Sequence, residues 1–323
     1  MHNNMSRCID INSQYCPCLL AETNNCVFCS HLSGQSACDC NWAGVCVLYE
    51  KHWQRKKKQH IRGEEENAIR IEEETEYTIV EQVNDSTYIL EFAVSNELAQ
   101  ALRKTGSFVF LRRPRDPHFY HFPVGIMKVS DNKIYVAVEA IGPKSSRIVT
   151  GDEKLLLVRG PYYNGVLGQP WIDNMNNGRI LLVAGGMGQA PALPLVAKLI
   201  ENGNKVTAIV APGHTGTVFI ETQLENLGVE VRKVPSMRRI GMGILADIMG
   251  DYDLIVSSGP DDQHYGVIDA MQSLNINKPM AATNNATMCC GEGICGSCLK
   301  ETHDNRFIRT CKVQADFREL VRD

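Results

Sequence analysis

The chain has 323 residues, of which 44% are hydrophobic and 22% are charged, values typical of a globular protein with two or three domains. Its formal net charge of −4 gives no electrostatic reason to expect nucleic acid or an anionic membrane surface as a partner. No apolar run is long enough for a membrane span, and the N-terminal residues contain no apolar signal core, so the sequence predicts a cytoplasmic protein.

The chain contains 13 cysteines, and they are distributed unevenly. Eight lie between Cys8 and Cys46, five lie between Cys289 and Cys311, and none lies in the long stretch between these groups. A secreted disulfide-bonded protein would spread its cysteines, whereas two terminal groups around a cysteine-free middle are typical of metal sites in a reducing cytoplasm. We therefore predict metal centres at both ends of the chain.

Residues 1–60 form the first predicted unit, a cysteine-rich module with too little apolar sequence for a hydrophobic core of its own. Such a module needs a bound metal to fold. Its C-x-C and C-x2-C pairs occur in both kinds of metal site, so the spacing leaves open a second iron–sulfur cluster or zinc. The candidate ligands are Cys16, Cys18, Cys26, Cys29, Cys38, Cys40 and Cys46.

A charged segment follows this module. A basic stretch at residues 51–58 precedes two acidic runs, at residues 64–66 and 72–74. A basic stretch that contains a tryptophan can contact nucleic acid. Opposite charges that offset each other are, however, more typical of a solvated helix or linker. We therefore predict a charged linker over residues 61–75.

Residues 76–172 are predicted to form a β-barrel. Runs rich in β-branched and aromatic residues alternate there with turn residues such as Asn84-Asp85. One short helix is predicted over residues 96–104, with Asn96 as its N-cap. Several short strands with one helix are typical of a compact barrel. The clearest predicted strands span residues 88–94, 107–111 and 134–138.

Residues 173–282 are predicted to form a doubly wound α/β domain with a parallel sheet, because buried strand-like runs alternate with helical segments. Two strands end in glycine-containing loops, a GGMG turn at residues 185–188 and the dipeptide Gly259-Pro260. Such loops at the carboxyl ends of parallel strands bind dinucleotide pyrophosphates, although a tight strand-to-helix turn is the alternative for the first. The predicted strands span residues 179–184, 205–210, 229–234 and 253–256.

Residues 283–323 carry the most specific motif of the chain. Counted from Cys290, four cysteines are spaced C-x4-C-x2-C-x12-C, the plant-type arrangement for a [2Fe–2S] cluster. Glycines at positions 291, 293 and 296 suit a loop that turns sharply around a cluster. Structural zinc usually takes two C-x2-C pairs, and this motif has one. The predicted ligands are Cys290, Cys295, Cys298 and Cys311. Cys289 could replace Cys290, but the x4 spacing favours Cys290, so Cys289 is predicted to be a small buried thiol.

In motifs and in domain order, residues 76–323 resemble the ferredoxin–NADP reductase superfamily, and most of all the electron-transfer subunit of heteromeric dihydroorotate dehydrogenase. The matching stretches are residues 182–191, Gly259-Pro260, and residues 288–298 with Cys311. The resemblance implies an FAD-binding barrel, an NAD(P)H-binding domain and a C-terminal [2Fe–2S] cluster. It does not extend to the cysteine-rich module, which suggests a related branch with additional metal and a different partner.

The resemblance also implies cofactor contacts, with three departures from the family pattern. Gly125 stands at the serine of an R-P-x-S motif, Lys144 at a glycine of a G-x-G-T turn, and Ser258 where a cysteine often lies near the nicotinamide. Lys144 would offer phosphate a charge in place of close backbone approach. The implied FAD residues are Pro123, Val124, Gly125, Gly142, Lys144, Ser145 and Gly160; Arg112, Arg113 and Arg115 either reach phosphate or face solvent. The implied NAD(P)H residues are Gly185, Gly186, Gly188, Gln189, Ala190, Pro191, Ser258, Gly259 and Pro260.

The resemblance and the motifs together predict an α+β multidomain electron-transfer subunit. It would pass electrons between NAD(P)H, FAD and the [2Fe–2S] cluster, to or from a catalytic oxidoreductase subunit that we expect to be another flavoprotein. The cofactors carry the chemistry, so no side chain is assigned a catalytic role. Two alternatives stay open: a non-catalytic redox sensor or metal-dependent docking protein on a reductase fold, and a stand-alone NAD(P)H:acceptor reductase.

Overall fold

The computed structural model of the chain describes residues 9, 10, 15, 70–293 and 295–322. Most of the predicted cysteine-rich module and most of the predicted linker lie outside the described residues. The same holds for the candidate ligands Cys16, Cys18, Cys26, Cys29, Cys38, Cys40 and Cys46. Within the described residues, no helix is both long and apolar enough to span a membrane.

Seven antiparallel strands form a curled sheet, the half-barrel of the first domain. The strands are β1 (Ile71–Gln82), β2 (Thr87–Ala93), β3 (Phe108–Arg112), β4 (Phe122–Gly125), β5 (Lys128–Ser130), β6 (Lys133–Glu139) and β7 (Leu155–Tyr162). They lie in the order β4-β3-β7-β1-β2-β6-β5. Alternate residues of these strands point into one apolar core, which contains Leu90, Phe92, Val109, Leu111, Ile134, Val136, Leu156 and Val158. The predicted β-rich fold class of this domain is thereby confirmed.

Two local features of this domain differ from the sequence prediction. The first strand begins at Ile71, inside the predicted linker, because alternate residues at its start face solvent and acidic side chains are tolerated there. Helix α1 (Asn96–Leu102) is capped by Ser95, whose side chain accepts a hydrogen bond from the Leu98 backbone N–H at 3.3 Å. The predicted N-cap was therefore wrong by one residue; serine and asparagine cap equally well, so the local pattern could not distinguish them.

The second domain is a six-stranded sheet with helices on both faces. Its strands are β8 (Val166–Leu167), β9 (Arg179–Gly185), β10 (Lys205–Ala211), β11 (Glu230–Lys233), β12 (Leu254–Ser258) and β13 (Met280–Thr283), in the order β11-β10-β9-β12-β13-β8. All neighbours pair in parallel except β8, which is antiparallel to β13. This arrangement confirms the predicted doubly wound α/β fold.

Seven α-helices are described, and five of them belong to the second domain. In chain order they are α1, given above, α2 (Ser145–Thr150), α3 (Gln169–Asn174), α4 (Gln189–Glu201), α5 (Glu221–Asn226), α6 (Met242–Ile248) and α7 (Asp261–Ser273). Leu182 of β9 packs in the same core as Val196 of α4, whereas the adjacent Leu181 packs in the core that contains Val267 of α7. Both faces of β9 are therefore buried, as expected for a central parallel strand.

The C-terminal segment packs against both domains. It contains a short antiparallel hairpin, β14 (Leu299–Glu301) and β15 (Phe307–Arg309). Met288, Cys298 and Cys311 pack against aromatic side chains of β3 and β7. Phe317 belongs to an apolar core of the second domain. The cysteine motif therefore lies next to the curled sheet, while the chain end is anchored on the α/β domain.

Candidate redox site

A cleft of about 510 Å³ lies between the curled sheet and the α/β domain. This volume is within the usual range of small-molecule and cofactor pockets. β4 lines one side, and the loops that follow β9 and β12 line the other. Of the cofactor residues implied by the family resemblance, the cleft is lined by Pro123, Val124, Gly125, Ser145, Gly185, Gly188, Ala190, Pro191, Gly259 and Pro260. The remaining ones, Gly142, Lys144, Gly160, Gly186, Gln189 and Ser258, are not part of its lining.

The two glycine loops cross each other at one edge of the cleft. A Cβ atom added to Gly188 would lie 2.3 Å from the Ser258 carbonyl oxygen and 2.5 Å from the Gly259 nitrogen. Only glycine fits this crossing of two backbones. Gly186 has a φ of +56°, in the left-handed region that also favours glycine. Glycine at positions 186 and 188 is thus required by the geometry of the loop.

Two predicted nucleotide residues hold these loops together. The Ser258 hydroxyl donates to the Gly188 carbonyl oxygen at 2.6 Å. The Gln189 side chain donates to the Thr217 carbonyl at 3.0 Å and accepts from the Phe219 backbone N–H at 2.9 Å. Both side chains are therefore committed to protein groups, and their role in the cleft is to fix the position of its backbone.

A buried histidine that the sequence analysis missed supports the Gly259 loop. His264 Nδ1 lies 2.7 Å from the Ser257 hydroxyl, and its Nε2 lies 3.0 Å from the Thr283 carbonyl oxygen. The Thr283 hydroxyl in turn donates to the Gly259 carbonyl at 3.0 Å. Burial lowers the pKa of His264 to about 4, so the ring is neutral at neutral pH. No motif marked this histidine, because its partners lie on other strands.

The other side of the cleft connects the curled sheet to the cysteine loop through His121. Its Nε2 lies 2.8 Å from the Cys289 carbonyl oxygen, and its ring packs edge-on against Phe110 with centroids 4.9 Å apart. Burial is the main cause that lowers the pKa of His121. Lys144, which would replace a family glycine, donates from its Nζ to the His121 carbonyl at 3.2 Å. Lys144 is therefore linked through His121 to the cysteine loop.

The arginines considered for phosphate binding are engaged with protein groups. Arg112 donates to the carbonyl oxygen of Asp116 at 3.0 Å and pairs with Glu72. Arg113 pairs with the Asp116 carboxylate at 2.8 Å. Arg115 is highly exposed and lies 3.3 Å from Glu153. The sequence left two possibilities for these arginines, phosphate binding and exposure to solvent, and none of these contacts favours phosphate binding.

The four motif cysteines lie close enough to interact with one another. The thiol of Cys298 is in hydrogen-bonding contact with Cys311, and that of Cys295 with Cys290. Among the described residues, no three His, Cys, Asp or Glu side chains converge as ligands of a single metal ion. Four thiols are the number of protein ligands that a [2Fe–2S] cluster takes.

The backbone of the cysteine loop has the conformation that its glycines predicted. Gly291, Gly293 and Gly296 have φ values of +69°, +73° and +77°. A Cβ on Gly291 would lie 2.6 Å from the Tyr162 ring, so this glycine also permits close packing against β7. The turns leave Cys298 and Cys311 buried and Cys295 exposed. Cys289 is exposed as well, so the prediction that it is a buried thiol was wrong. The loop therefore presents one thiol pair toward the protein core, and the other pair has a thiol at the surface.

The environment favours the thiolate, the form that binds metal, at Cys298 and Cys295, whereas the contact with Cys298 and burial raise the pKa of Cys311. The hydrogen bond from Cys311 lowers the pKa of Cys298 to about 6. At Cys295, burial opposes ionisation, but hydrogen bonds from Ser297 and Cys290 lower the pKa overall. The Glu292 backbone N–H points at the sulfur of Cys290 at 3.3 Å. Backbone donors of this kind are among the groups that set the potential of iron–sulfur centres.

Comparison with known proteins agrees with this geometry. No family model matches the chain. The sequence is 26% identical over 253 residues to the dihydroorotate dehydrogenase B (NAD(+)) electron transfer subunit of Streptococcus pneumoniae serotype 4, covering 74% of this chain and 97% of that protein. It is 25% identical over 219 residues to the subunit of the same name from Clostridium perfringens, covering 66% of this chain and 84% of that one.

Solved structures share the fold. An NADH-dependent reduced ferredoxin-NADP oxidoreductase, studied for flavin-based electron bifurcation, superposes with a TM-score of 0.62 and 19% identity, over 76% of this chain and 89% of that chain. A ferredoxin reductase of carbazole 1,9a-dioxygenase superposes with a TM-score of 0.51 and 12% identity, over 66% of this chain and 69% of that one. The predicted resemblance to ferredoxin–NADP reductases, and to the dihydroorotate dehydrogenase electron-transfer subunit, is thereby confirmed for residues outside the cysteine-rich module.

Proposed function

We propose that the chain is an electron-transfer flavoprotein subunit that connects a pyridine nucleotide to a [2Fe–2S] cluster through FAD in the cleft. One observation carries the proposal. Met288 and Phe108 both line the cleft, and both also pack in the apolar cluster that contains Cys298 and Cys311. A ligand in the cleft and a cluster on the cysteines would therefore be separated by little more than a layer of side chains.

The residues that line the cleft and the cysteine loop indicate which part would bind which group. FAD, when bound, converts two-electron hydride chemistry into one-electron transfer. Backbone N–H groups of residues 185–188 and the start of α4 would hold a pyrophosphate, since the chain approaches closely there and a helix N-terminus favours anions. Pro123 and Val124 would contact the flavin ring and exclude water on the β4 side. Cys290, Cys295, Cys298 and Cys311 would ligate the cluster.

The exit for electrons is proposed at the cysteine loop. Cys289 and Cys295 are exposed, whereas the second thiol pair is buried against β3 and β7. A catalytic oxidoreductase subunit, which we expect to be another flavoprotein, would dock over this surface. The relatives named above are electron transfer subunits, and this naming supports a heteromeric complex. Five free thiols in the described C-terminal segment suit a reducing compartment such as the cytoplasm.

The cysteine-rich region adds a second proposed metal centre, either an iron–sulfur relay or a zinc-dependent docking module. Its candidate ligands begin at Cys16, and the preceding residue, Tyr15, contacts Arg70 beside the cysteine loop at 4.3 Å from ring centroid to guanidinium carbon. The start of the cysteine-rich region is thus attached next to the proposed cluster.

The test is an anaerobic titration of the purified full chain with NADH and then with NADPH, followed by absorbance, with flavin, iron, sulfide and zinc measured on the same sample. We expect stoichiometric FAD, at least the two irons of one cluster, and bleaching of flavin and cluster bands by one nucleotide. Flavin that neither nucleotide reduces would favour the redox-sensor alternative, for which the departures at Lys144 and Ser258 are the motivation. Rapid turnover with a natural acceptor and no second subunit would favour the stand-alone reductase.

A further inference from the structure

Four charged side chains from three distant parts of the chain meet behind the cysteine loop. Arg70 Nε lies 2.8 Å from a Glu292 carboxylate oxygen, and Arg70 Nη2 lies 2.7 Å from Asp10. Lys312 Nζ lies 2.9 Å from Glu292 and also pairs with Asp10. Each of the four side chains is at least nine-tenths buried. Two cations and two carboxylates thus form a compact group with a formal net charge of zero.

This group is part of the proposed cluster environment. Glu292 is two residues after Cys290, and Lys312 directly follows Cys311. Glu292 pairs with both Arg70 and Lys312, so its carboxylate is held between two buried cations. The charges are therefore fixed, and they act on the cluster through a medium in which water screens them little.

The N-terminal segment supplies one of the four charges and is held there by two further contacts. The Ile9 backbone N–H donates to the Lys312 carbonyl oxygen at 2.6 Å. The Tyr15 ring packs on the Arg70 guanidinium, which also contacts the Tyr162 ring at 4.5 Å from its centroid. Residues 9, 10 and 15 are thus bound to the C-terminal segment through a backbone hydrogen bond, buried ion pairs and an aromatic contact.

We propose that this docked N-terminal segment sets the reduction potential of the [2Fe–2S] cluster, with Asp10 as a tuning residue. The inference rests on the proposed function, because it requires a cluster on the four cysteines. Reduction adds one negative charge to the cluster, and the potential of such a centre depends on the net charge around it. With Asp10 in place, the second buried cation is neutralised. When the segment leaves, one uncompensated positive charge remains and favours the reduced cluster.

Docking of the N-terminal segment and reduction of the cluster affect each other. If docking of the segment disfavours reduction by a given factor, reduction weakens docking by the same factor, because the two equilibria share one thermodynamic cycle. A partner or a metal that acts on the cysteine-rich region could therefore change the driving force for electron transfer at the cluster. The segment would link the two ends of the chain, where all its cysteines lie.

The test is an EPR-monitored redox titration of the full-length chain and of four variants. Asp10→Asn leaves a net charge of +1, Lys312→Gln leaves −1, and the double variant returns the group to zero. Asp304→Asn is the control, because this carboxylate lies in the turn of the β14–β15 hairpin and is exposed, paired with Arg306 at 2.6 Å. Iron and sulfide content is measured for each protein before titration.

We expect Asp10→Asn to favour cluster reduction about tenfold, a shift of about 59 mV upward for a one-electron couple. Lys312→Gln should shift the potential downward, the double variant should return close to the wild-type value, and the control should change the equilibrium less than about twofold. A merely structural role would not give opposite signs and restoration. Should Asp10→Asn be too unstable to purify, the double variant must still favour cluster reduction about tenfold more than Lys312→Gln does.

Two failures are distinguishable. A wild-type protein without iron, sulfide and a cluster signal would refute the proposed function itself. A wild-type protein with an intact cluster, but with shifts of the same sign in both single variants or no restoration in the double variant, would refute only the tuning role of Asp10. Hydrogen exchange at the Ile9 backbone N–H, which donates to the Lys312 carbonyl oxygen, gives an independent readout in the oxidised and reduced protein, with faster exchange expected after reduction.

Discussion

Replacing Gly188 by alanine should separate the two glycine loops and impair nucleotide binding. The added Cβ would lie 2.3 Å from the Ser258 carbonyl oxygen, 2.4 Å from its carbon and 2.5 Å from the Gly259 nitrogen. Ordinary contact begins at 3.4 Å, so the backbones must move apart by about 1 Å. Neither neighbour is a flexible side chain, and the hydrogen bond from Ser258 to Gly188, 2.6 Å long, would be lost.

The magnitude follows from these two effects. Overpacking of this kind costs about 1–3 kcal/mol, and loss of the hydrogen bond adds about 1 kcal/mol, so unfolding free energy should fall by about 2–4 kcal/mol. A displacement of about 1 Å at a reacting group can slow a reaction roughly 100-fold. Urea unfolding measures the first quantity, and anaerobic stopped-flow reduction of the flavin by the preferred nucleotide measures the second.

Gly243 provides the matched control. It lies inside helix α6, and a Cβ there would contact nothing within 4 Å. Gly243→Ala should therefore leave flavin reduction unchanged and stabilise the protein by up to about 1 kcal/mol. Wild-type stability and wild-type reduction rates in Gly188→Ala would refute the argument that the crossing of the two loops shapes the cleft.

Three further predictions concern the cysteine loop and the buried histidine. Cys298→Ser should abolish the cluster absorbance bands and lower the iron content, while the flavin stays reducible by nucleotide. Cys289→Ser should keep the cluster bands and the iron content of the wild type. Equal iron loss in the two variants would contradict the ligand assignment. In Gly291→Ala the added Cβ would lie 2.6 Å from an aromatic ring, so this variant should lose the cluster. In Gly296→Ala the Cβ meets no neighbour within 4 Å, so this variant should cost only about 1–2 kcal/mol of backbone strain. Equal iron content in the two variants would count against the close packing at Gly291. Burial lowers the pKa of His264 from 6.5 to about 4, so between these pH values the unfolded chain binds a proton that the folded chain does not. The free energy of unfolding should therefore fall as the pH drops through this window, by at most about 3 kcal/mol. In urea unfolding, His264→Gln should flatten this pH profile. An unchanged profile in that variant would place the pH dependence elsewhere.

Local sequence patterns predicted the elements that depend on local rules. The strand–glycine–helix order around residues 179–201 gave β9 and α4, because hydrophobic runs and glycine turns are encoded within a few residues. The positive φ values at Gly291, Gly293 and Gly296 follow from the spacing of the cysteine motif in the same way. The resemblance to known reductases extended these local signals to a two-domain architecture.

Features that depend on distant residues were not predictable. The pairing of Asp10 with Lys312 joins positions 302 residues apart, and neither residue belongs to a motif. His264 gained its role only when β12 and β13 brought Ser257 and Thr283 to its two nitrogens. The short strand β13 has no strong β-pattern of its own, since its sequence is Met-Ala-Ala-Thr. In each case the deciding partners lie outside any local sequence window.

The most direct test of the central claim is the order in which the two cofactors are reduced. Purified full-length chain would be mixed anaerobically with NADH, and separately with NADPH, while flavin and cluster absorbance are followed by stopped flow. The account predicts that one nucleotide bleaches the flavin first and the cluster second, with a second rate that does not depend on protein concentration, since the cleft and the cysteines share Met288 and Phe108. Reduction of the flavin without any later reduction of an intact cluster would contradict it.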